Sequence, residues 1–224
     1  MATATAVQEF REAIKDVVAL SERELRLFLL SLDFENVVAT TNALEIFMPA
    51  LVTEFGEVGA AVAVDFYDEL RETSPAKNLK PYTAQMAEIP EQEAIQASVR
   101  WAVDPLWQAE QEPDRAISRL TEVHDRVVKA APRNTIFESA QRDVSKALFA
   151  RVPSGSKTCE FCLMLASRGA VYANAKSAGE AKKFHGHCDC QIIPMWDEDD
   201  YPEGYDPESL YNQYVDLQVS KQGH

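Results

Sequence analysis

The sequence predicts a mainly α protein: a helical N-terminal region of about six helices, then a small zinc-stabilised α+β module, then an extended acidic tail. Three observations predict it. Through most of the first 150 positions apolar residues recur at three- and four-residue steps, the pattern of helices with one buried face. All four cysteines fall between Cys159 and Cys190, where that periodicity has faded. Beyond them, residues 191–224 carry eight acidic side chains and one basic one. The expected organisation is a helical domain over 1–150 with a linker at about 73–90, a zinc-binding module over 151–195, and an acidic, tyrosine-rich tail over 196–224.

The first helix is read over 5–31, with Val7, Phe10, Ile14, Val17, Leu25 and Leu29 on one face and charged residues on the other. Ser31-Leu32-Asp33 supplies a stop and a new cap. A second helix over 34–48 turns Phe34, Val37, Leu44 and Phe47 inward. Pro49 suits the first turn of a third helix running to about Arg71, because its missing N–H is no loss there. Gly56, Gly59, Ala60 and Ala63 make that helix narrow enough for a close neighbour.

Pro75, Pro81 and Pro90 mark residues 73–90 as an extended linker crossing a surface. A fourth helix over 91–110 should kink or split at Pro105. Pro113 and Asp114 open a fifth, to about Lys129. Pro132 opens a sixth, to about Phe149, with Ile136, Phe137, Val144 and Leu148 inward. Beyond it Glu160 to Ser167 forms one or two helical turns, with Leu163, Met164 and Leu165 covering the cysteines. Ala170-Val171-Tyr172 and Gln191-Ile192-Ile193-Pro194 pair as two strands, and Ser177 to Lys183 is helical. In the tail Pro202, Gly204 and Pro207 break any helix. Tyr201, Tyr205, Tyr211 and Tyr214 leave two readings open there: a solvated tail, or an arm that orders on a partner.

The cysteines read C-E-F-C at 159–162, then H-G-H-C-D-C at 185–190. Two tight Cys/His clusters separated by a loop are how a chain builds a tetrahedral zinc site. The candidate ligands are Cys159, Cys162, His185, Cys188 and Cys190, four of the five. Cys159 and Cys162 are the safest, and H-x-x-C favours Cys188 with His185. Cys190 could replace either, and His187 is the weakest candidate. A thiolate-rich set is closed and suits structural zinc, whereas a catalytic site keeps an open position. The segment MATATAVQEFREAIK has neither the basic start nor the apolar stretch of a signal peptide, which favours reduced thiols over disulfides.

Other chemistries find little support. No H-x-E accompanies the cysteines as a zinc deaminase requires. With eight glycines, no phosphate-binding glycine loop occurs. His185 or His187 could activate water in a nuclease, but only His224 lies downstream to assist. Ser154, Ser156 and His124 have no spacing that argues for a triad. Net charge is −14, which repels nucleic acid, although residues 141–190 alone are net +4 and could approach DNA. No apolar run reaches the ~18 residues of a membrane span.

The run A-R-V-P-S-G-S-K-T-C-E-F-C-L-M-L-A-S-R-G-A-V-Y over 150–172, followed by F-H-G-H-C-D-C, resembles the Mu F-like minor head proteins of tailed phages, in the form found in phages of actinobacteria. The shared positions are Cys159, Cys162, Tyr172, His185, Cys188 and Cys190. The likeness covers about residues 150–195. It implies a structural minor capsid protein made in the host cytoplasm. Its place would be the capsid interior or the portal vertex of the virion. Its partners would be the major capsid protein, the portal protein or both, with residues 141–190 near packaged DNA. The expectation is a protein that is not an enzyme. The alternative is a head-maturation protease or metal-dependent nuclease acting during assembly, and a zinc-dependent nucleic-acid adaptor is a third reading.

Overall fold

The computed structural model describes residues 2–153, 158–171, 184, 188, 190–197 and 201–222. Helices dominate: α1 Ala2–Leu30, α2 Val37–Thr73, α3 Gln92–Val103, α4 Pro113–Val128, α5 Ala130–Arg142, α6 Glu160–Ala166 and α7 Pro207–Gln222. A 3₁₀ turn, Asp104–Trp107, follows α3, so the chain does split at Pro105. Two strands, β1 Leu148–Val152 and β2 Gln191–Met195, form an antiparallel pair with Leu148 opposite Met195 and Val152 opposite Gln191.

The expected second and third helices are one. Pro49 lies inside α2 and does not open a new helix. Proline there cannot donate to the carbonyl of Glu45, one turn back. That carbonyl instead accepts from Gln96 Nε2 of α3 at 3.1 Å. With its orphaned acceptor satisfied, α2 continues for 37 residues, about 55 Å at 1.5 Å per residue. It is long and apolar enough by length and composition to cross a membrane. In this fold, however, Leu44, Met48, Leu51, Val52, Phe66 and Leu70 on one side of it are buried against other parts of the chain, while Ile46 and Val58 are exposed.

α2 spans two apolar clusters. One joins Leu25, Leu44, Met48, Val52, Val99 and Leu120 from α1 to α4. The other joins Phe10, Phe66, Tyr67, Phe137, Phe149 and Ile193, bringing in α5 and both strands. Stacked phenylalanines tie α1 to α2 at both ends: Phe10 on Phe66 at 4.2 Å and Phe28 on Phe47 at 3.8 Å. The small residues of α2 receive α5. A Cβ on Gly59 would stand 3.2 Å from Pro132 Cγ, and one on Gly56 would stand 3.5 Å from Ala131 Cβ. Residues 74–91 have no helix or strand. They are pinned along their course: Ala84 N–H donates to Asp68 and Ala87 N–H to Thr135.

Three further expectations are corrected. The sixth helix does not reach Phe149. It ends at Arg142, where Asp143 turns the chain through Lys146 (φ 57°), and Leu148 and Phe149 enter β1. Val144, expected inward, is exposed. β2 pairs with β1, and residues 170 and 171 form no strand. Tyr172 and the helix read over 177–183 lie outside the described residues. Nor is the tail simply extended. Pro207 begins α7, which lies along α6 with Gln218 and Lys221 both on Glu160. At the other end of α6, Tyr205 Oη donates to the Ala166 carbonyl at 2.5 Å.

A buried polar hub closes the second cluster, the one that includes both strands. Asp143 Oδ2 accepts from Arg71 Nε at 2.8 Å, Trp196 Nε1 at 2.9 Å and Tyr67 Oη at 3.2 Å. Burial pushes the Asp143 carboxyl up, but the bonds from Arg71, the Ser145 amide and Trp196 outweigh it and hold the group below the usual carboxylate range. Asp143→Ala leaves three donors facing a gap and should cost about 3 kcal/mol in urea unfolding. A loss under about 1 kcal/mol would show the hub to be incidental.

His124 gives a pH handle. It is buried, its Nε2 lies 2.9 Å from Ser21 Oγ, and burial pushes its pKa down to about 4. The unfolded ring titrates near 6.5. Its stabilising contribution is therefore complete above about pH 6.5 and shrinks as pH falls toward 4, because the unfolded chain takes up the proton first. Urea midpoints should fall across that window in the native protein, and less in His124→Asn. Parallel profiles would exclude His124 as the cause.

Candidate metal centre

Two local structures bring the cysteines together. Cys159 is the N-cap of α6, and its Sγ accepts from the Cys162 amide at 3.4 Å. Capping this way turns C-x-x-C into the first turn of a helix and puts Cys162 in the interior. Cys188 and Cys190 lead into β2. In an extended segment, residues two apart share a side, so C-x-C can present both thiols to one point.

Cys162, Cys188 and Cys190 converge there, with their sulfurs all within 4.8 Å of one another. Cys162 Sγ and Cys188 Sγ are 3.6 Å apart, and neither residue is in a disulfide. Thiolates on a tetrahedral zinc at 2.3 Å would be separated by about 3.8 Å. The spacing therefore fits a shared ion far better than a covalent S–S bond of about 2.05 Å. Cys159 is exposed and stays outside the grouping. His185 and His187 lie outside the described residues. Among the described residues three of the candidate ligands, Cys162, Cys188 and Cys190, come together.

Two buried arginines complete the site, and neither was singled out from the sequence. Arg151 projects from β1 and is 1% exposed. Its Nη2 donates to Cys188 Sγ at 3.3 Å and reaches Cys162 Sγ at 3.7 Å. Arg133, carried by α5 next to Pro132, donates through Nη2 to the carbonyls of Cys188 at 2.7 Å and Cys190 at 3.2 Å. Both guanidinium groups lie over the Phe184 ring, 3.8 Å from its centre for Arg133 and 4.1 Å for Arg151. The signal was present in the strand L-F-A-R-V, where one arginine interrupts an apolar run. Such a residue is buried only with partners for its charge.

The thiols are electrostatically unequal. Hydrogen bonds from Cys162 and Cys190 push the Cys188 thiol down, with Arg133 adding to the effect. Cys162 is pushed up by its bonds to Cys188 and Cys190 and by burial. For Cys190 the Cys162 contact works downward, but Cys188 and burial outweigh it and push it up to about 12. One negative charge is thus comfortable among three sulfurs, and further thiolates call for a cation. The exposure pattern predicts that, in the folded reduced chain, a thiol reagent modifies Cys159 quickly and the other three only as the protein opens. Mass mapping showing four equally fast cysteines would contradict it.

The family model described as VG15 protein matches residues 1–217, and the chain belongs to that family. Among its relatives, the Gene 15 protein of Mycobacterium phage D29 is 26% identical, aligned over 77% of this chain and 73% of its own. The Gene 15 protein of Mycobacterium phage L5 is also 26% identical, over 71% of this chain and 66% of its own, just under two thirds. No solved structure matches the chain.

Proposed function

We propose that this VG15-family chain is a structural, non-catalytic minor component of a tailed-phage head, of the Mu F-like type, with its C-terminal part locked by one zinc ion. The convergence of Cys162, Cys188 and Cys190 carries the reading. Three buried thiols within 4.8 Å of one another, with arginines to offset thiolate charge, suit an ion that fixes shape once a fourth protein ligand closes the site. Cys159 or His185 supplies the fourth ligand. Cys159 is one turn of α6 from Cys162, and His185 is three residues from Cys188. The phage origin of the relatives supports the setting.

On this reading the protein is made in the host cytoplasm and built into the capsid interior or portal vertex. It docks to the portal or major capsid protein. The net positive segment 141–190 is the part suited to packaged DNA, and the acidic remainder limits non-specific adhesion to it.

The test has two stages. Elemental analysis of the purified chain should give one zinc per molecule, lost in Cys162→Ser, with Cys159→Ser against His185→Ala identifying the fourth ligand. Particles assembled without the protein should then have defective or unstable heads. A metal-free native protein would sink the zinc reading, and normal infectious particles would sink the head role. Cleavage of capsid precursor or DNA, abolished by His185→Ala, would replace the structural reading with an enzymatic one.

A further inference from the structure

α7 lies along α6 and is fastened to it unequally at its two ends. Where α7 begins, the fastening is buried. Tyr205 is 6% exposed, its Oη donates to the Ala166 carbonyl, and its ring meets Tyr201 edge-on at 5.3 Å. Gly169, in the left-handed region at φ 70°, makes room for this joint, since a Cβ there would stand 2.6 Å from Tyr201 Oη. At the far end the fastening is exposed. Gln218 Nε2 and Lys221 Nζ both donate to the Glu160 carboxylate, and the side chains of Lys221 and Glu160 are 62% and 34% exposed. Between the two ends the grip is light. From Pro207 to Lys221 no residue is buried, and Leu210, Tyr214 and Gln218, each one turn from the next, are half-buried. Elements with few buried contacts open locally without the rest of the fold.

α6 depends on what α7 supplies. Its seven residues are too few to hold a helix unaided. Its N-cap is Cys159, whose sulfur is a weaker acceptor than the oxygen of a usual cap. Glu160 is the first residue of that helix, and Cys162 sits in the same turn with its sulfur in the buried cluster. Loosening this turn moves Cys162 away from Cys188 and Cys190. Salt weakens the exposed ion pair to Lys221 and leaves the uncharged Tyr205 joint as it is.

We propose that α7 is a salt-sensitive strap, hinged at Tyr205 and latched by Lys221 and Gln218 on Glu160, which keeps the first turn of α6 closed and so gates exchange of the ion held by Cys162. The gate rests on the zinc reading, whereas the latch does not. Two measurements on the full chain separate them. Labelling of Cys162 by N-ethylmaleimide, followed by mass mapping, reads the latch with or without metal. Release of zinc to a chromogenic chelator reads the gate.

Both rates should rise about threefold between about 0.01 M and about 1 M salt, the scale of one exposed ion pair. Lys221→Glu should give the fast rates at low salt and abolish the salt effect, and Lys221→Arg should behave as the native chain. Hydrogen exchange should quicken in α6 and α7 and stay unchanged in β1 and α2. Cys162 labelling indifferent to salt and to Lys221→Glu would overturn the proposal. So would an equal gain of exchange in β1, which would make the effect one of overall stability. Faster labelling with unchanged zinc release would overturn the gate. A metal-free protein that keeps the Lys221 pattern in labelling would support the latch and count against the zinc reading alone.

Discussion

One satisfied carbonyl allows the long helix at the centre of this fold. Without a partner for the Glu45 oxygen, Pro49 would end or bend α2 inside the first apolar cluster, before the helix reaches the second. The Gln96 carboxamide replaces the missing backbone donor, so a single rigid element runs through both clusters. The site inherits its geometry from that helix. Gly56 and Gly59 let Ala131 and Pro132 approach, and Pro132 places Arg133 beside the carbonyls of Cys188 and Cys190. A change at the α2–α5 contact would therefore reach the cysteines through one side chain.

Much of the helical part was legible because period and punctuation agreed. The faces of α1, α3 and α4 and the break at Pro105 follow from apolar spacing and prolines. Pro49 was misread because the partner that keeps it helical lies 47 residues further along the chain, in α3. Leu148 and Phe149 were misread because a short apolar run has no period of its own. Their strand character comes from β2, more than 40 residues away.

The tail shows a different limit. Its prolines, glycine and acidic run are features of segments that stay unfolded, and the apolar residues of α7 do not gather on one face. Its order comes from particular contacts: Tyr205 on the Ala166 carbonyl at the end of α6, Gln218 and Lys221 on Glu160 in the first turn of the same helix. Trp196, the first residue of the expected tail, donates its indole N–H to Asp143. Composition averages over such contacts and so cannot register them.

The cysteine cluster was the most legible feature, because C-x-x-C and C-x-C each encode a local geometry. Its charge balance was not. Three thiolates around a dication leave one net negative charge, and a fourth thiolate would leave two. Arg133 and Arg151 bring two positive charges into the same buried space. Burial opposes the charge on both guanidiniums. For Arg151 the nearby sulfurs reverse that effect, and for Arg133 they only reduce it. Arginines and thiolates therefore stabilise one another only when several sulfurs are ionised together, and in the proposed site it is the ion that permits this. Thiolates donate heavily to an ion they share, and a guanidinium bonded to the same sulfurs moderates that donation, so the surroundings of the sulfurs as well as their number set the charge an ion would carry there.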